Sequence, residues 1–263
     1  MRTIAVMNQK GGSAKTTTAV NLAAALAVLG KKVLVVDLDP QANATTWLGV
    51  ADGKGVFDVF TGEKKLLEIV RPSSAAGVDA VPGSAWLAGA ERTLAGEVGS
   101  EVVFRKALER LPSKWDILLV DCPPAIGLLS ISALAACGEV LIPCEAHTMA
   151  LSGLAGLVQT LERVRERLNP SLTLSGIVAC RVDARTKLSE EVVATLRERF
   201  GKDVLKAVVR ENVRLAEAPS FAQSIFDYDP RSTGAEDYTA VAKELLARAS
   251  GKRTQRAKRS RLG

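Results

Sequence analysis

Met7-Asn8-Gln9-Lys10-Gly11-Gly12-Ser13-Ala14-Lys15-Thr16-Thr17-Thr18 follows the apolar run Thr3–Met7 and passes without a break into a helical pattern over Lys15–Leu29. A strand, a glycine-rich turn and a helix in that order form the setting in which a phosphate loop works. Backbone N–H groups of such a turn point inward, and the helix N-terminus adds positive potential. Gly11, Gly12, Ser13, Ala14, Lys15, Thr16 and Thr17 are therefore the candidate nucleotide-binding residues. Lys15 would reach the β- and γ-phosphates, and the Thr16 hydroxyl would bind Mg²⁺. The strict pattern G-x-x-x-x-G-K-[ST] fails twice, because Gln9 and Ala14 stand where it has glycine. The segment fits the variant K-G-G-x-x-K-[ST] instead, with Lys10 as a second, upstream lysine. Two cations near one triphosphate offset charge that would otherwise repel. Ala14 is expected to be tolerated only with a negative φ.

Outward from this loop, apolar runs alternate with amphipathic stretches. Thr3–Met7, Lys32–Leu38, Trp115–Val120, Glu139–Pro143 and Leu172–Cys180 read as strands buried on both faces, rich in Val, Ile and Leu with little polar alternation. Lys15–Leu29, Val102–Arg110, Leu128–Ala136, Ala150–Leu168, Ser189–Phe200 and Ala235–Ala249 read as helices. This order predicts an α/β fold, a mostly parallel sheet with helices on both faces, and the phosphate loop after the first strand makes it of the P-loop NTPase type. Residues 1–249 are expected to form one domain. Residues 71–100, rich in Gly, Ser and Ala, are expected to be a surface excursion.

Two strands end in acid. Val35-Val36-Asp37-Leu38-Asp39-Pro40-Gln41 places carboxylates at the carboxyl edge of the sheet, where α/β proteins bind ligands. Ile117-Leu118-Leu119-Val120-Asp121-Cys122-Pro123-Pro124 repeats the design. Four apolar residues followed by Asp is the Walker B arrangement, whose carboxylate holds Mg²⁺ through water. Thr16 and Asp121 are the candidate metal ligands, and ATP and Mg²⁺ the implied cofactors. Phosphoryl transfer needs positioning and charge neutralisation more than covalent chemistry, so no further nucleophile is required.

The net charge of +6 can be located. Lys252, Arg253, Arg256, Lys258, Arg259 and Arg261 lie in the last twelve residues, and no acid follows Glu244. Without those six, 29 basic residues balance 29 acidic ones. Residues 250–263 are expected to be a disordered basic tail attracted to phosphate backbones. Cys122, Cys137, Cys144 and Cys180 lack paired metal-ligand spacing and read as reduced core thiols of a cytosolic protein. The N-terminus shows no signal-peptide pattern, and no run of about 18 apolar residues exists to span a membrane.

Lys10-Gly11-Gly12, Asp37-x-Asp39-Pro40-Gln41 and Asp121-Cys122-Pro123-Pro124 together resemble the ParA/MinD superfamily, and the partition ATPases of ParA type most closely. Val182–Thr186, Arg210–Ser220 and Tyr228–Ala235 also resemble ParA segments, so the likeness extends to about residue 249. It implies that Lys10 touches the nucleotide of a partner subunit. It makes Asp39 the residue that orients the attacking water, with Asp37 on the Mg²⁺ shell, so that Lys10, Lys15 and Asp39 form the catalytic set. Asn212 would approach the adenine, and Arg185 and Arg214 would contact DNA, joined by Lys252 and Arg253 of the tail. His147 departs from the pattern, which has Glu there, and reads as a loop residue.

The resemblance implies a slow ATPase in which MgATP drives formation of a homodimer. The dimer binds DNA non-specifically, and a ParB-like centromere-binding partner triggers hydrolysis and release. The implied location is cytoplasmic and nucleoid-associated. A neutral body binds DNA weakly as a monomer; pairing two copies doubles the phosphate contacts. A membrane-positioning ATPase of MinD type would need a C-terminal amphipathic helix with bulky apolar residues, and the tail offers only Ala257 and Leu262. No membrane partner is therefore expected. A reductase relative holding an iron–sulfur cluster finds little support in the cysteine spacing.

Overall fold

The computed structural model describes residues 1–50, 53–94, 96–147 and 150–259, and only the backbone of residues 91, 150–152 and 251–259. Seven strands, β1 (Arg2–Val6), β2 (Val33–Asp37), β3 (Arg71–Pro72), β4 (Val78–Val81), β5 (Ile117–Asp121), β6 (Glu139–Glu145) and β7 (Thr173–Cys180), form one sheet in the order β3-β4-β2-β5-β1-β6-β7. Every pairing is parallel except β3 with β4. Proline at Pro72 fits a two-residue edge strand, where a missing N–H costs no ladder bond.

Helices α1 (Lys15–Val28), α2 (Asn43–Trp47), α3 (Phe57–Phe60), α4 (Leu87–Thr93), α5 (Val103–Glu109), α6 (Leu128–Ala136), α7 (Ala150–Arg167), α8 (Lys187–Phe200), α9 (Val213–Glu217), α10 (Ile225–Tyr228) and α11 (Thr233–Arg259) complete the fold. The central strands feed two separate cores, because successive side chains point to opposite faces. Val33, Val35, Ile117 and Leu119 pack with Val20, Leu26, Tyr238 and Leu245 of α1 and α11. Leu34, Val36, Leu118 and Val120 pack with Phe104, Leu134, Leu157 and Leu196 of α5, α6, α7 and α8. Residues such as Leu34 and Leu118 are fully buried, each removing roughly 1.5–3 kcal/mol worth of apolar surface from water. Helices on both faces of a mostly parallel sheet are the expected arrangement. The five expected strands occur, with ends moved by one or two residues.

One expectation is corrected. Residues 71–100 are not simply a surface excursion: β4 is an interior strand of the sheet, and Val78, Ala80 and Val81 are buried. Four residues set among Gly, Ser and Ala are too few to show a period, and their pairing with β2 is a tertiary fact. Helix α11 runs on through Arg259, into the stretch expected to be a basic tail. Arg, Lys, Gln and Ala in this stretch are good helix formers, and an existing helix removes the nucleation cost. Residues 260–263 lie outside the described residues.

One loop shows how tightly the chain is drawn toward the carboxyl edge. Gly55 has a φ of +57°, and a Cβ added there would run into the Pro82 carbonyl oxygen. Gly55→Ala is expected to lower stability by about 2 kcal/mol or more, from left-handed strain plus overpacking. Gly89→Ala, in α4 with open space around the new methyl, is expected to be neutral or to gain up to about 1 kcal/mol. Chemical denaturation of the two variants checks this contrast.

Candidate nucleotide and magnesium site

The loop leaving β1 sits at the middle of the sheet, between β5 and β6, where the strand order reverses direction. Ligands of open α/β sheets bind at such a switch point, outside the carboxyl ends of the strands. A cleft of about 570 Å³ opens there. Gly11 through Thr17 form one wall, with Asp39 and Gln41 from the loop after β2 and Arg181 and Asn212 from beyond β7.

The loop is shaped to face an anion. Ala14 caps α1 without any side-chain hydrogen bond, and no acid occupies the first turn. The first N–H groups of a 14-residue helix are thus left to an external acceptor. A Cβ on Gly11 or Gly12 would meet nothing within 4 Å, so the space beside both is open. Gly12 has a φ of +73°, which suits glycine. Ala14 has a φ of +63°, and here the expectation of a negative φ is overturned. The left-handed conformation costs a non-glycine residue roughly 1–2 kcal/mol, small enough to be carried by the packing of α1.

The charged groups converge. Lys15 is 6% exposed and donates from Nζ to the Lys10 carbonyl at 3.1 Å. Burial pulls its pKa down, against the pull of Asp121 and Asp39. The Thr16 hydroxyl donates to Asp121 Oδ2 at 2.7 Å. The other carboxylate oxygen of Asp121, Oδ1, is buried with no hydrogen-bond partner. Burial, and then the charge of Asp37, push the Asp121 carboxyl well above its ordinary range. An orphaned buried carboxylate oxygen beside a threonine hydroxyl and the open loop fits a divalent cation and its water. No group of three or more His, Cys, Asp or Glu among the described residues could hold a metal ion, so phosphate oxygens would complete the shell.

Asp37 stands opposite Asp121 in the register of β2 and β5, but its oxygens are engaged. Oδ2 accepts from the Thr45 N–H at 2.8 Å and from its hydroxyl at 2.7 Å, and Oδ1 accepts from the Asp39 N–H at 3.1 Å. Burial pushes the Asp37 carboxyl up to about 6, partly opposed by the Thr45 bonds. Asp39 is 7% exposed, accepts from the Gln41 N–H and lines the cleft with Lys15 and Thr16. Asn212 caps α9, accepts from the Arg214 N–H and donates to the Thr233 hydroxyl at 2.6 Å. Lys10 reaches across to Glu145 Oε2 at 3.2 Å.

Comparison with known proteins follows the same lines. Residues 1–174 match the family described as an AAA domain. The chain is 47% identical over 248 residues to the chromosome-partitioning ATPase Soj of Thermus thermophilus, covering 94% of this chain and 96% of that protein. It is 42% identical over 247 residues to the sporulation initiation inhibitor protein Soj of Bacillus subtilis, covering 93% and 98%. The chain belongs to the Soj/ParA family of chromosome-partitioning ATPases. Among solved structures, cobyrinic acid a,c-diamide synthase of Mycobacterium smegmatis, with bound ADP and magnesium, superposes with a TM-score of 0.82 at 32% identity, covering 94% of each chain. The sheet and helices are those of P-loop NTPases of ParA/MinD type.

In this Soj/ParA chain, neither of the two cations read as DNA contacts is among the residues that line the cleft. Arg185 donates to both oxygens of Asp183, each at 2.9 Å, and holds that carboxyl down to about 2. Arg214 pairs with Glu217 at 3.0 Å and approaches Asp229 at 3.7 Å. The side chains of Lys252 and Arg253 lie outside the described residues. His147 is exposed, just beyond β6 and outside the cleft lining. All four cysteines are buried and unpaired by disulfide, as read from their spacing. Sequence reasoning missed Glu145, Arg181 and Thr45. Glu145 and Arg181 sit at the ends of strands that were recognised, so a strand-end charge was the available signal.

Replacing Asp121 with Asn should separate stability from ligation. Asp121→Asn keeps an acceptor for Thr16 and removes a buried charge, so the nucleotide-free chain is expected to gain about 1–2 kcal/mol. The same variant should lose the extra thermal stabilisation that MgATP confers. Melting curves with and without MgATP test both halves.

Proposed function

We propose that this chain binds MgATP in the cleft and hydrolyses it as a DNA-partition ATPase. The observation that carries this reading is the contact of Thr16 with Asp121, whose second oxygen is unpartnered, beside Lys15 at the uncapped start of α1. Bound magnesium would supply positive charge to the phosphate oxygens and order the water shell around them.

The chain's own residues supply the rest. The N–H groups of Gly11 to Thr17 cradle the phosphates. Lys15, partly desolvated, neutralises charge between the β- and γ-phosphoryl groups. Asp39, fixed by the Gln41 N–H and by its own N–H on Asp37, orients the attacking water. Asp37 acts by shaping this turn: with three donors already on its two oxygens, it supports Asp39 and the cation from behind. Asn212 faces the base. Slow turnover, below about 10 s⁻¹, suits a switch that must persist before it resets.

Homodimer formation driven by ATP extends the same reading. Lys10 would leave its own subunit to contact the partner's nucleotide. The dimer would bind DNA through Arg185 and Arg214 from each subunit, aided by the basic continuation of α11. Both arginines are paired with acids in the single chain, so DNA phosphates would have to displace Asp183 and Glu217. A ParB-like protein would stimulate hydrolysis and release. Location on the nucleoid in the cytoplasm follows from DNA binding. The Soj names of the relatives support this role.

Lys15→Ala is expected to abolish MgATP binding in a fluorescent-nucleotide titration; unchanged affinity would remove the cleft from its role. Asp39→Ala should still assemble with ATP and release no phosphate. Arg214→Glu should lower the slope of log affinity against log salt by about two for a dimer, one phosphate contact per subunit. Filter-binding of a DNA duplex at several salt concentrations reads that slope.

A further inference from the structure

The chain holds a carboxylate, bonded to Arg181 of the cleft lining, that the reading above leaves unused. Glu145 ends β6, and its side chain is 14% exposed. Its Oε2 accepts from Lys10 Nζ at 3.2 Å, and its Oε1 accepts from Arg181 Nη1 at 2.8 Å. Lys10 follows β1 and Arg181 follows β7, so three neighbouring strands deliver the three charges to one point. Arg181 also lines the cleft and has a φ of +53°, a strained conformation for arginine. The bonds to Arg181 and Lys10 hold the Glu145 carboxyl below its ordinary range despite burial.

We propose that Glu145 is a positioning residue that keeps Lys10 on its own subunit, in competition with the triphosphate that Lys10 would meet across a dimer, and that Arg181 sets the strength of this hold. The inference rests on the dimer reading given above. A lysine ammonium is a point charge with no preferred fork, so it transfers between anions readily. The Glu145–Lys10 pair is partly exposed, with the Lys10 side chain 41% accessible, so it is weak enough to be displaced by a phosphate. Arg181 draws on the same carboxylate from the opposite side. While it does so, Lys10 shares its partner and is released more easily. Losing Arg181 would leave Lys10 as the sole cation on Glu145.

The test is the ATP concentration at which the full chain assembles into dimers, followed by light scattering with MgATP. Glu145→Gln is expected to lower the midpoint about three- to ten-fold, the range for one exposed pair acting in each subunit. Arg181→Ala should raise it, and should raise it less once Glu145 is Gln. Lys10→Ala with Glu145→Gln should assemble no better than Lys10→Ala alone. Those results support the assignment. A midpoint unmoved by Glu145→Gln overturns it, as do additive effects of Glu145→Gln and Arg181→Ala, which would indicate a general field at the cleft. Rescue of Lys10→Ala by Glu145→Gln overturns it as well. If the unaltered chain binds no fluorescent MgATP, the proposed function fails and this inference falls with it. If it binds and dimerises while Glu145→Gln changes nothing, only this inference fails.

Discussion

Asp121 is the constraint around which the carboxyl edge is built. A carboxylate with no exposure, at the end of a fully buried strand, is costly unless a cation or donors compensate. The protein supplies one hydroxyl, from Thr16, and leaves the second oxygen without a partner. Lys15 stands close enough to pull the carboxyl toward ionisation, while Asp37 in the next strand pushes the other way. The arrangement is poorly satisfied by itself and becomes favourable when a divalent cation and a polyphosphate enter. A cation bound there would offset the cost of burying that carboxylate.

The surrounding backbone is organised to hold that unsatisfied edge in place. The sheet presents the ends of β1, β2 and β5 side by side, and the turn after β2 is stitched to α2 and β4. Thr45 is the knot: its hydroxyl donates to Asp37 and accepts from the Gly83 N–H at 2.7 Å. A Cβ on Gly83 would collide with the Asp37 carbonyl oxygen at 2.7 Å, so the two loops approach as closely as glycine permits. Ala14 and Ala42, both left-handed, are carried at the starts of α1 and α2 by this same packing.

The cleft is also tied to the region that bears Arg214. Asn21 on α1 accepts from the Ile225 N–H, and Trp47 on α2 donates to the Gln223 carbonyl at 2.6 Å. Both helices therefore grip the chain that runs from α9 into α10. These hydrogen bonds join α1 and α2 to the chain that follows α9, the helix that carries Arg214.

Much of this was legible in the amino-acid sequence. The alternation of apolar strands with amphipathic helices determined the layered sheet, because burial on both faces leaves a compositional mark. That Lys10, Lys15, Thr16, Asp39 and Asp121 stand at the ends of β1, β2 and β5 on one edge was legible, because a loop after a strand and a strand end are local features. β4 was not, since four residues carry no period and its place beside β2 is a matter of pairing. The left-handed Ala14, the engagement of Asp37 by Thr45 and the sharing of Glu145 between Lys10 and Arg181 were decided only by the tertiary structure. Each depends on segments up to 171 positions apart brought to one edge, and no local pattern records which neighbour a strand end will meet.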